Sequence, residues 1–420
     1  MGLHIGFVST RFTGADGVTM EAGKWAEIFK ECGHECFWWG GEVHKDPSHA
    51  MVVSEAHFLH SENQKIQAEA FGREMRSHEL TQRIHDFRAA LKQKLADFLQ
   101  TFEIQLLVIE NALASPQHIP LGLALTELIA ERKIPTIAHH HEFYWEQSRC
   151  AVNCVRDFLS MAFPPVLPTI QHVVISSAAH EDLAHRRGVS SFIIPNVLDF
   201  DHPPQPDWEK AQELRRQIGA DFKGKLIVQP TRVIRRKGIE YAVEIAAAFK
   251  DLGYRLLITH QAGEGDPEYA AWLQRQAQEH GVSLHFLGTH VADPWAEEES
   301  SLKPLTLWDI YPHADLITYP SLYEGFGNAF LEAIYFGKPL VVNRYATFVR
   351  DIEPLGFDLL IMDGYVSRRL IAKIREVLES PERRETMVEH NYLLAKRHFS
   401  YGVLRRRLNF LLMNFFGMEV

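Results

Sequence analysis

Short apolar segments typical of β-strands alternate with amphipathic segments typical of α-helices, and this alternation occurs twice along the chain. In the first half, strand-like segments begin at Ile5–Thr10 and recur at Glu35–Trp39 and Leu106–Ile109. After a proline-rich stretch, Asn196–Pro206, the pattern restarts at Lys225–Gln229. Strands alternating with helices form a parallel sheet with helices on both faces. The sequence therefore predicts an α/β protein with two doubly wound, Rossmann-like domains.

The length of the chain agrees with two domains, because 420 residues exceed what one compact core usually holds. We place the boundary at the proline-rich stretch, with residues 1–197 as the N-terminal domain and residues 198–399 as the C-terminal domain. Ligands of doubly wound sheets bind at the carboxyl ends of the strands. We therefore expect the two domains to face each other across a cleft that holds the substrates.

The charge of the chain excludes some classes of partner. Its formal net charge is -10, which argues against nucleic-acid binding, because that requires a broad basic surface. The N-terminus leads directly into a strand pattern and has no signal-peptide pattern. No apolar run approaches the roughly 20 residues that span a bilayer. We expect a cytoplasmic protein without stable membrane insertion, which is either a monomer or a homodimer.

The segment Pro320–Pro339 is the strongest candidate for a ligand site. A strand ends there, a glycine-containing loop turns, and a helix begins, so that loop amides and the helix N-terminus can bind an anion such as a diphosphate. Gly325 and Gly327 allow the backbone to approach a ligand closely. Glu324 and Glu332 can accept hydrogen bonds from sugar hydroxyls. The alternative is a tight turn that carries two solvated carboxylates.

A second candidate is the basic segment Thr231–Gly238, which follows a predicted strand and precedes a predicted helix. It is a compact cluster of cations in an acidic sequence, and it contains Arg232, Arg235, Arg236 and Lys237. A solvated charged loop is the ordinary interpretation of such a run. Its position at the carboxyl end of a strand favours an anion site instead.

A third candidate is the run His139-His140-His141, which we place after the strand Thr136–Ala138. Histidine is a common metal ligand, but successive side chains of an extended chain point in opposite directions. We therefore expect that the three histidines do not converge on one ion, and the sequence predicts no metal site.

Together these motifs resemble glycosyltransferase family 4. The resemblance is carried by Pro-Ser-x-x-Glu-Gly-Phe-Gly-x-x-x-Leu-Glu-Ala-x-x-x-Gly-x-Pro at 320–339, by Arg-x-x-x-x-Lys-Gly at 232–238, and by a histidine element at 141. It implies the GT-B fold, a hexosyltransferase that retains anomeric configuration, and a last helix, residues 400–420, that packs back on the N-terminal domain. It also implies a nucleotide-sugar donor without an obligatory metal.

The resemblance assigns roles to individual residues of this sequence. Glu324 would contact the donor sugar, Glu332 the ribose, and Arg232 with Lys237 the diphosphate, while His141 would be the catalytic histidine near the reaction centre. The backbone of four residues would face sugar and diphosphate: Gly325, Phe326, Gly327 and Asn328. Gly14 and Gly17 lie in the loop after the first strand, where the family shapes the phosphate and acceptor region.

The acceptor is less well indicated than the donor. The candidate acceptor contacts lie in the N-terminal domain: Arg11, Asn111, His140, Glu142, Tyr144 and Trp145. His140 is also the alternative to His141, since the register of the histidine run is open. The segment around Glu110–Leu125 resembles bacterial enzymes that make compatible-solute glycosides, such as mannosylglucosylglycerate synthases. That resemblance implies a small glycerate glycoside as acceptor, with Arg11 meeting its carboxylate.

The resemblance leaves several alternatives open. GDP-mannose is the favoured donor and UDP-glucose the alternative, because the unusually long segment Thr289–Leu305 gives no indication of the base. A lipid-linked or polysaccharide acceptor at a membrane surface is the main alternative for the acceptor. A phosphorylase of the same fold and a non-catalytic sugar-nucleotide binder are the other competing classes.

Overall fold

A computed structural model of the chain describes residues 2–14, 17–203, 210, 214, 224–261, 265–287, 291–292 and 305–417. Four of the predictions above fall partly outside these residues. They concern Ala15 and Asp16 in the loop after the first strand, residues 204–206 of the proline-rich stretch, most of the long segment between 289 and 305, and residues 418–420 of the predicted last helix. The described residues belong to two compact units, one formed by Met1–Pro195 with Leu404–Val420 and the other by Asn196–Val403.

The first unit is built on a parallel sheet of seven strands in the order β3-β2-β1-β4-β5-β6-β7. The strands are β1 His4–Val8, β2 Glu35–Gly40, β3 Ala50–Val52, β4 Leu106–Glu110, β5 Thr136–His140, β6 Ile170–Val174 and β7 Ser191–Ile193. The helices are α1 Gly17–Glu31, α2 Ser61–Ala70, α3 His78–Thr101, α4 Ile119–Arg132, α5 Arg156–Ala162 and α6 Ser177–Arg187.

The second unit is built on a sheet of six strands in the order β10-β9-β8-β13-β14-β15, with a separate two-stranded sheet of β11 and β12. The strands are β8 Lys225–Gln229, β9 Tyr254–Ile258, β10 Leu284–Phe286, β11 Val291–Ala292, β12 Leu305–Thr306, β13 Leu316–Tyr319, β14 Leu340–Asn343 and β15 Leu360–Met362. The helices are α7 Ile239–Ala247, α8 Pro267–His280, α9 Leu307–Ile310, α10 Asn328–Tyr335, α11 Arg368–Glu379 and α12 Pro381–Phe399.

The helices cover the sheets through apolar residues at helical spacing. In α3, Leu91, Leu95 and Phe98 are buried at intervals of four and three residues, so they form one apolar face. The hydroxyl of Ser77 caps the start of this helix by accepting a hydrogen bond from the amide of Leu80. Each such side chain contributes about 1.5–3 kcal/mol when fully buried. This packing holds the strand ends, and the loops that follow them, in fixed positions.

The last helix, α13 Tyr401–Phe416, lies mostly within the first unit. Leu408, Leu411 and Leu412 are buried, and the side-chain amide of Gln171 donates to the carbonyl oxygen of Leu411 at 3.0 Å. Its apolar side is therefore covered by the protein itself. In the part of the chain that the structure describes, no helix combines the length and apolar character needed to cross a membrane.

Each sheet reverses its direction of winding once. The reversal lies between β1 and β4 in the first sheet and between β8 and β13 in the second, and the candidate motifs follow these strands. In the first sheet β1 pairs with β2 on one side and with β4 on the other. In the second sheet β8 pairs with β9 on one side and with β13 on the other. Ligands of doubly wound sheets bind outside the carboxyl ends of the strands at such a reversal.

Candidate active site

In the second unit, the basic segment follows β8 and the glutamate segment follows β13, so the two loops begin side by side. The basic segment forms a short 3₁₀ helix, Arg235–Lys237, which ends at Gly238 with φ +60°. A β-carbon at Gly238 would lie 2.5 Å from the carbonyl oxygen of Pro320. Only glycine therefore allows the two loops to approach as closely as they do.

A buried ion pair joins these two loops. The ammonium of Lys237 contacts the carboxylate of Glu324, and both residues are only 9% exposed. The guanidinium of Arg236 lies 3.2 Å from the same carboxylate and 3.0 Å from the carbonyl oxygen of Tyr323, to which it donates. Arg232 is exposed and contributes to the same positive field around Lys237. Three cations against one carboxylate leave this edge of the sheet positive.

The environment keeps Glu324 ionised. Burial by itself would raise the pKa of this carboxyl group, but the charges of Lys237 and Arg236 outweigh burial and lower the pKa. The hydroxyl of Thr347 donates to the backbone carbonyl of Glu324 at 3.1 Å, which fixes the loop on its other side. Glu324 is thus a charged acceptor in a rigid loop.

The loop between Glu324 and α10 is held closely by two tyrosines. Gly327 adopts φ +115°, and a β-carbon there would lie 2.6 Å from the hydroxyl of Tyr345 and 3.1 Å from the ring of Tyr319. The Tyr345 hydroxyl donates to the carbonyl oxygen of Phe326 at 2.8 Å. The ring of Phe326 is buried against Phe399, so only its backbone is available to a ligand.

The remaining predicted donor contacts lie along α10 and its start. Gly325 and Asn328 are partly exposed, and α10 begins at Asn328. Glu332 lies one turn into the helix and is buried, where its carboxylate accepts a hydrogen bond of 2.6 Å from the hydroxyl of Tyr311. Glu332 is therefore also held in one orientation.

In the first unit, a cavity of about 190 Å³ lies at the carboxyl ends of β1 and β4. Arg11 and Asn111 line it, and the guanidinium of Arg11 lies 5.1 Å from the ring centroid of Phe58, which lines the cavity as well. The polar residues Ser9, Thr10, Ser115 and Gln117 and the carboxylate residue Glu110 complete most of the lining. The cation of Arg11, the neutral hydroxyl and amide groups and one carboxylate can together bind a small molecule that carries a carboxylate and hydroxyl groups.

The histidine run divides between the two sides of β5, with His140 on one side and with His139 and His141 on the other. Strand β5 extends through His140, two residues further than predicted. Because side chains alternate along a strand, His139 and His141 lie on the same side, and both contact the carboxylate of Glu110 at 3.0 Å. The ligand atoms of these three residues lie within 4.8 Å of one another. The pairing of β4 with β5 thus places Glu110 against two histidines that alternation along β5 puts on one side.

His140 lies on the opposite side of β5, where its environment argues against contact with a ligand. It is 1% exposed, its Nε2 lies 2.9 Å from Nδ1 of His172, and its ring packs against Phe143. Burial lowers its pKa well below the usual value, so the ring is neutral. Of the two candidates in the histidine run, His141 occupies the accessible position, at the edge of the sheet.

The other predicted acceptor contacts surround His141 on the loop that follows β5. Glu142 is exposed, and Tyr144 and Trp145 are partly exposed. Trp145 stacks on Phe143 with ring centroids 4.4 Å apart, and the guanidinium of Arg186 lies over its ring. Gly14 is exposed with φ +76°, and Gly17 is the first residue of α1.

Three residues at these sites were not identified from the sequence. Glu110 contacts two histidines, Arg236 contacts Glu324, and Tyr311 contacts Glu332. The position of Glu110 at the end of a predicted strand was a usable signal, as was that of Arg236 inside the basic run. Tyr311 gave none, because its partner lies 21 residues away.

Comparison with known proteins identifies the family. The model of the group 1 glycosyl transferases matches residues 210–393. The mannosylglucosylglycerate synthase of Thermotoga maritima is 30% identical and covers 92% of this chain and 94% of its own length. That of Petrotoga mobilis is 27% identical and covers 85% and 86%.

Among solved structures, Anabaena HepE in complex with UDP and glucose superimposes with a TM-score of 0.66 at 15% identity, over 98% of this chain and all of that one. This likeness concerns the fold, and it confirms the predicted GT-B architecture. The similarity to the two synthases extends over nearly the whole chain. The chain therefore belongs to the group 1 glycosyltransferases, and it is a hexosyltransferase with the GT-B fold.

Proposed function

We propose that this enzyme transfers a hexose from a nucleotide sugar to a hydroxyl group of a small acceptor, with retention of anomeric configuration. GDP-mannose is the favoured donor, UDP-glucose is the alternative, and a glycerate glycoside is the favoured acceptor. The observation that carries the proposal is the cluster of Glu324, Lys237 and Arg236 at the winding reversal of the second sheet. A glycerate glycoside fits the names of the two synthases that are similar to the chain over most of its length.

The donor side of the reaction belongs to residues 198–399. Arg232 and Lys237 bind the diphosphate and stabilise its charge as the glycosidic bond breaks. Glu324 accepts hydrogen bonds from the donor sugar, and Glu332 accepts them from the ribose. The backbone from Gly325 to Asn328, at the start of α10, faces the sugar and diphosphate. Before the donor binds, Glu324 neutralises Lys237, and the diphosphate then gives this ammonium a second anionic partner.

The acceptor side belongs to residues 1–197 together with the helix at 400–420. The cavity beside β1 and β4 supports this assignment, because Arg11 offers a cation for a carboxylate and the neighbouring side chains offer partners for hydroxyl groups. Asn111 lines this cavity and accepts a hydrogen bond from the amide of Glu142. Glu142 lies in the loop after β5, which also carries Tyr144 and Trp145, and we assign this loop to the acceptor as well. We also assign Gly14 and Gly17, which lie at or just before the start of α1, to the region that binds the phosphate and the acceptor.

The chemical step needs no protein nucleophile. The acceptor hydroxyl attacks the anomeric carbon on the face from which the diphosphate leaves, and the diphosphate oxygen takes the hydroxyl proton. One carbon–oxygen bond forms and one breaks, which gives the glycoside and the nucleoside diphosphate. His141 contacts the donor sugar near this centre, and the cations act where negative charge develops. No metal enters the scheme.

The test is turnover with defined donors and acceptors. We expect the purified enzyme to transfer mannose from GDP-mannose to glucosylglycerate, with the α-configuration of the donor kept in the product by proton NMR. The comparison reactions replace one substrate at a time. UDP-glucose or ADP-glucose replaces the donor, and glycerate alone or liposomes with a lipid-linked acceptor replace the acceptor. Glu324→Gln should lose at least about 100-fold in kcat, whereas Glu353→Gln, whose residue pairs with Arg344 in the same unit, should retain activity. Inversion, or transfer only to the lipid-linked acceptor, contradicts the proposal.

A further inference from the structure

Glu110 is a carboxylate that the proposed reaction does not use, and it is the most deeply buried charge in the first unit's candidate site. It ends β4 and is 0% exposed. Its Oε2 lies 3.0 Å from Nδ1 of His139 and 3.0 Å from Nε2 of His141. Both histidines come from β5, the strand paired with β4. The carboxylate therefore lies between one fully buried histidine and one at the accessible edge of the sheet.

The ionisation state of Glu110 determines what the two histidines do. Burial alone would raise its pKa, but the neighbouring His139 and His141 reverse this and lower the pKa to about 2. An ionised carboxylate only accepts hydrogen bonds. His141 must therefore carry a proton on Nε2 and donate it to Glu110. When the ring is neutral, a proton on Nε2 leaves the lone pair on Nδ1. The hydrogen bond to Glu110 therefore fixes Nδ1 as the nitrogen that can accept a hydrogen bond from a ligand.

Other contacts hold the same group of residues in place. The indole of Trp25 stacks on His139 with ring centroids 4.3 Å apart, and the rings of His139 and His141 lie 4.2 Å apart. The side-chain oxygen of Asn111 accepts hydrogen bonds from the amides of His141 and Glu142, at 3.1 and 3.2 Å. The backbone of His141 is thus fixed independently of its ring, so Glu110 acts on the orientation and protonation of the ring.

A metal ion is the competing interpretation of two histidines and a carboxylate. Histidines that bind a metal through one nitrogen almost always donate the other N–H to a carboxylate, a carbonyl group or water. Nε2 of His139 has no hydrogen-bond partner among the residues that the structure describes. The surroundings of His139 therefore fit an imidazole that hydrogen-bonds to Glu110 through Nδ1 better than a metal ligand.

We propose that Glu110 is a positioning residue, which orients the His141 ring and keeps the proton on its Nε2, so that Nδ1 faces the donor sugar. This inference rests on the role of His141 in the proposed function. It adds Glu110, which ends β4, to the residues of the proposed active site. The arrangement resembles the use of a buried carboxylate to hold an imidazole in one tautomer in serine proteases.

The test is Glu110→Gln, which keeps the size of the side chain and removes its charge. We expect kcat to fall by at least tenfold and up to about 10⁴-fold, the loss seen when such a carboxylate becomes an amide, with the KM values of donor and acceptor within about twofold. Glu127→Gln is the matched control, because Glu127 pairs with Arg88 and Lys92 in the same unit. It should leave kcat unchanged.

A second readout separates this inference from the proposed function. ¹⁵N NMR of the His141 ring, assigned by comparison with His141→Gln, reports which nitrogen carries the proton in the free enzyme. We expect the Nε2–H form in the native protein and a mixture in Glu110→Gln. An unchanged ring spectrum in this variant overturns the role of Glu110. Full turnover in His141→Ala overturns the proposed role of His141 and, with it, the catalytic part of this inference. Stoichiometric metal in elemental analysis, lost in Glu110→Gln and His139→Gln, overturns it in favour of a metal site.

Discussion

The side chains of Lys237 and Glu324 form a buried ion pair between the loop that follows β8 and the loop that follows β13. The two residues are 87 positions apart in the chain, yet the pairing of β8 with β13 brings their loops together. The same two residues are the proposed contacts of diphosphate and donor sugar. In the proposed function, the pair therefore has a structural role before the donor binds and a chemical role afterwards.

Removing one partner of this pair should destabilise the second unit. Lys237→Met leaves a buried carboxylate without its main cation, and we expect a loss of about 3–5 kcal/mol in the free energy of unfolding, measured by urea denaturation. The double variant Lys237→Met/Glu324→Leu should recover most of this loss but remain inactive. Arg235→Met breaks the exposed pair with Asp266, and its cost should stay below about 1 kcal/mol. An equal loss in single and double variants would contradict the argument.

Gly238→Ala should lower the free energy of unfolding, because the positive φ disfavours any residue with a β-carbon and a neighbouring backbone atom occupies the space that the β-carbon needs. Gly238 has φ +60°, and the added atom would lie 2.5 Å from the carbonyl oxygen of Pro320. We expect a loss of at least about 2 kcal/mol and a raised donor KM, because the two loops must separate. The control is Gly253→Ala, with φ +78° and no atom within 4 Å of the added carbon. Gly253→Ala should lower the free energy of unfolding by about 1 kcal/mol and leave donor KM unchanged. Equal losses in the two variants would show that the contact with Pro320 is unimportant.

Tyr311→Phe tests the orientation of Glu332. It removes the hydroxyl that donates to Glu332 at 2.6 Å, and hydrogen bonds to charged groups contribute about 1.5–3 kcal/mol. We expect donor KM to rise about tenfold while kcat changes little, because the ribose contact forms in both ground and transition states. Tyr392→Phe removes a hydroxyl that donates to the carbonyl oxygen of Phe200 in the same unit. A similar rise in that variant would assign the effect to general loss of stability.

Arg11→Ala should weaken the binding of an acceptor that carries a carboxylate. Arg11 lines the cavity at the end of β1, and we expect acceptor KM to rise at least tenfold with donor KM unchanged. Arg149 is the matched control, because its guanidinium also lies over a phenylalanine ring, at 5.3 Å from the centroid of Phe71. Acceptor KM unchanged in Arg11→Ala, or changed equally in Arg149→Ala, would contradict the assignment.

Acidification should destabilise the first unit through His118. Its Nδ1 accepts a hydrogen bond from the amide of Leu121 at the start of α4, so a protonated ring cannot make this bond. Burial lowers its pKa from 6.5 to about 4. The unfolded chain therefore binds a proton more readily, and stability is lost as pH falls from about 6.5 to about 4. This interval corresponds to about 3 kcal/mol.

The comparison for this prediction is urea denaturation of native protein and His118→Asn between pH 7 and pH 4.5. Asparagine also caps helices, so the variant should fold, and its stability should depend less steeply on pH. His44→Asn replaces an exposed histidine and should leave the slope of the native protein unchanged. An identical slope in His118→Asn would show that other groups dominate the acid response.

The sequence by itself determined the fold and the position of the loop between β13 and α10, because both depend on local patterns. Alternating apolar segments predicted β8 with its observed bounds, Lys225–Gln229, and the glycines at 325 and 327 with flanking glutamates marked the loop between β13 and α10. Such signals lie within a few residues of each other. The extension of β5 to His140 was missed because polar histidines do not read as a buried strand.

Only the tertiary structure decided which side chains act together. The contacts of Lys237 with Glu324, Tyr311 with Glu332, and Glu110 with His141 join residues 21 to 87 positions apart. Strand order in the sheet and the packing of helices set these distances, and neither is encoded in local periodicity. The same reason explains the histidine run: alternation along one strand was predictable, but the carboxylate that meets two of its members comes from the neighbouring strand.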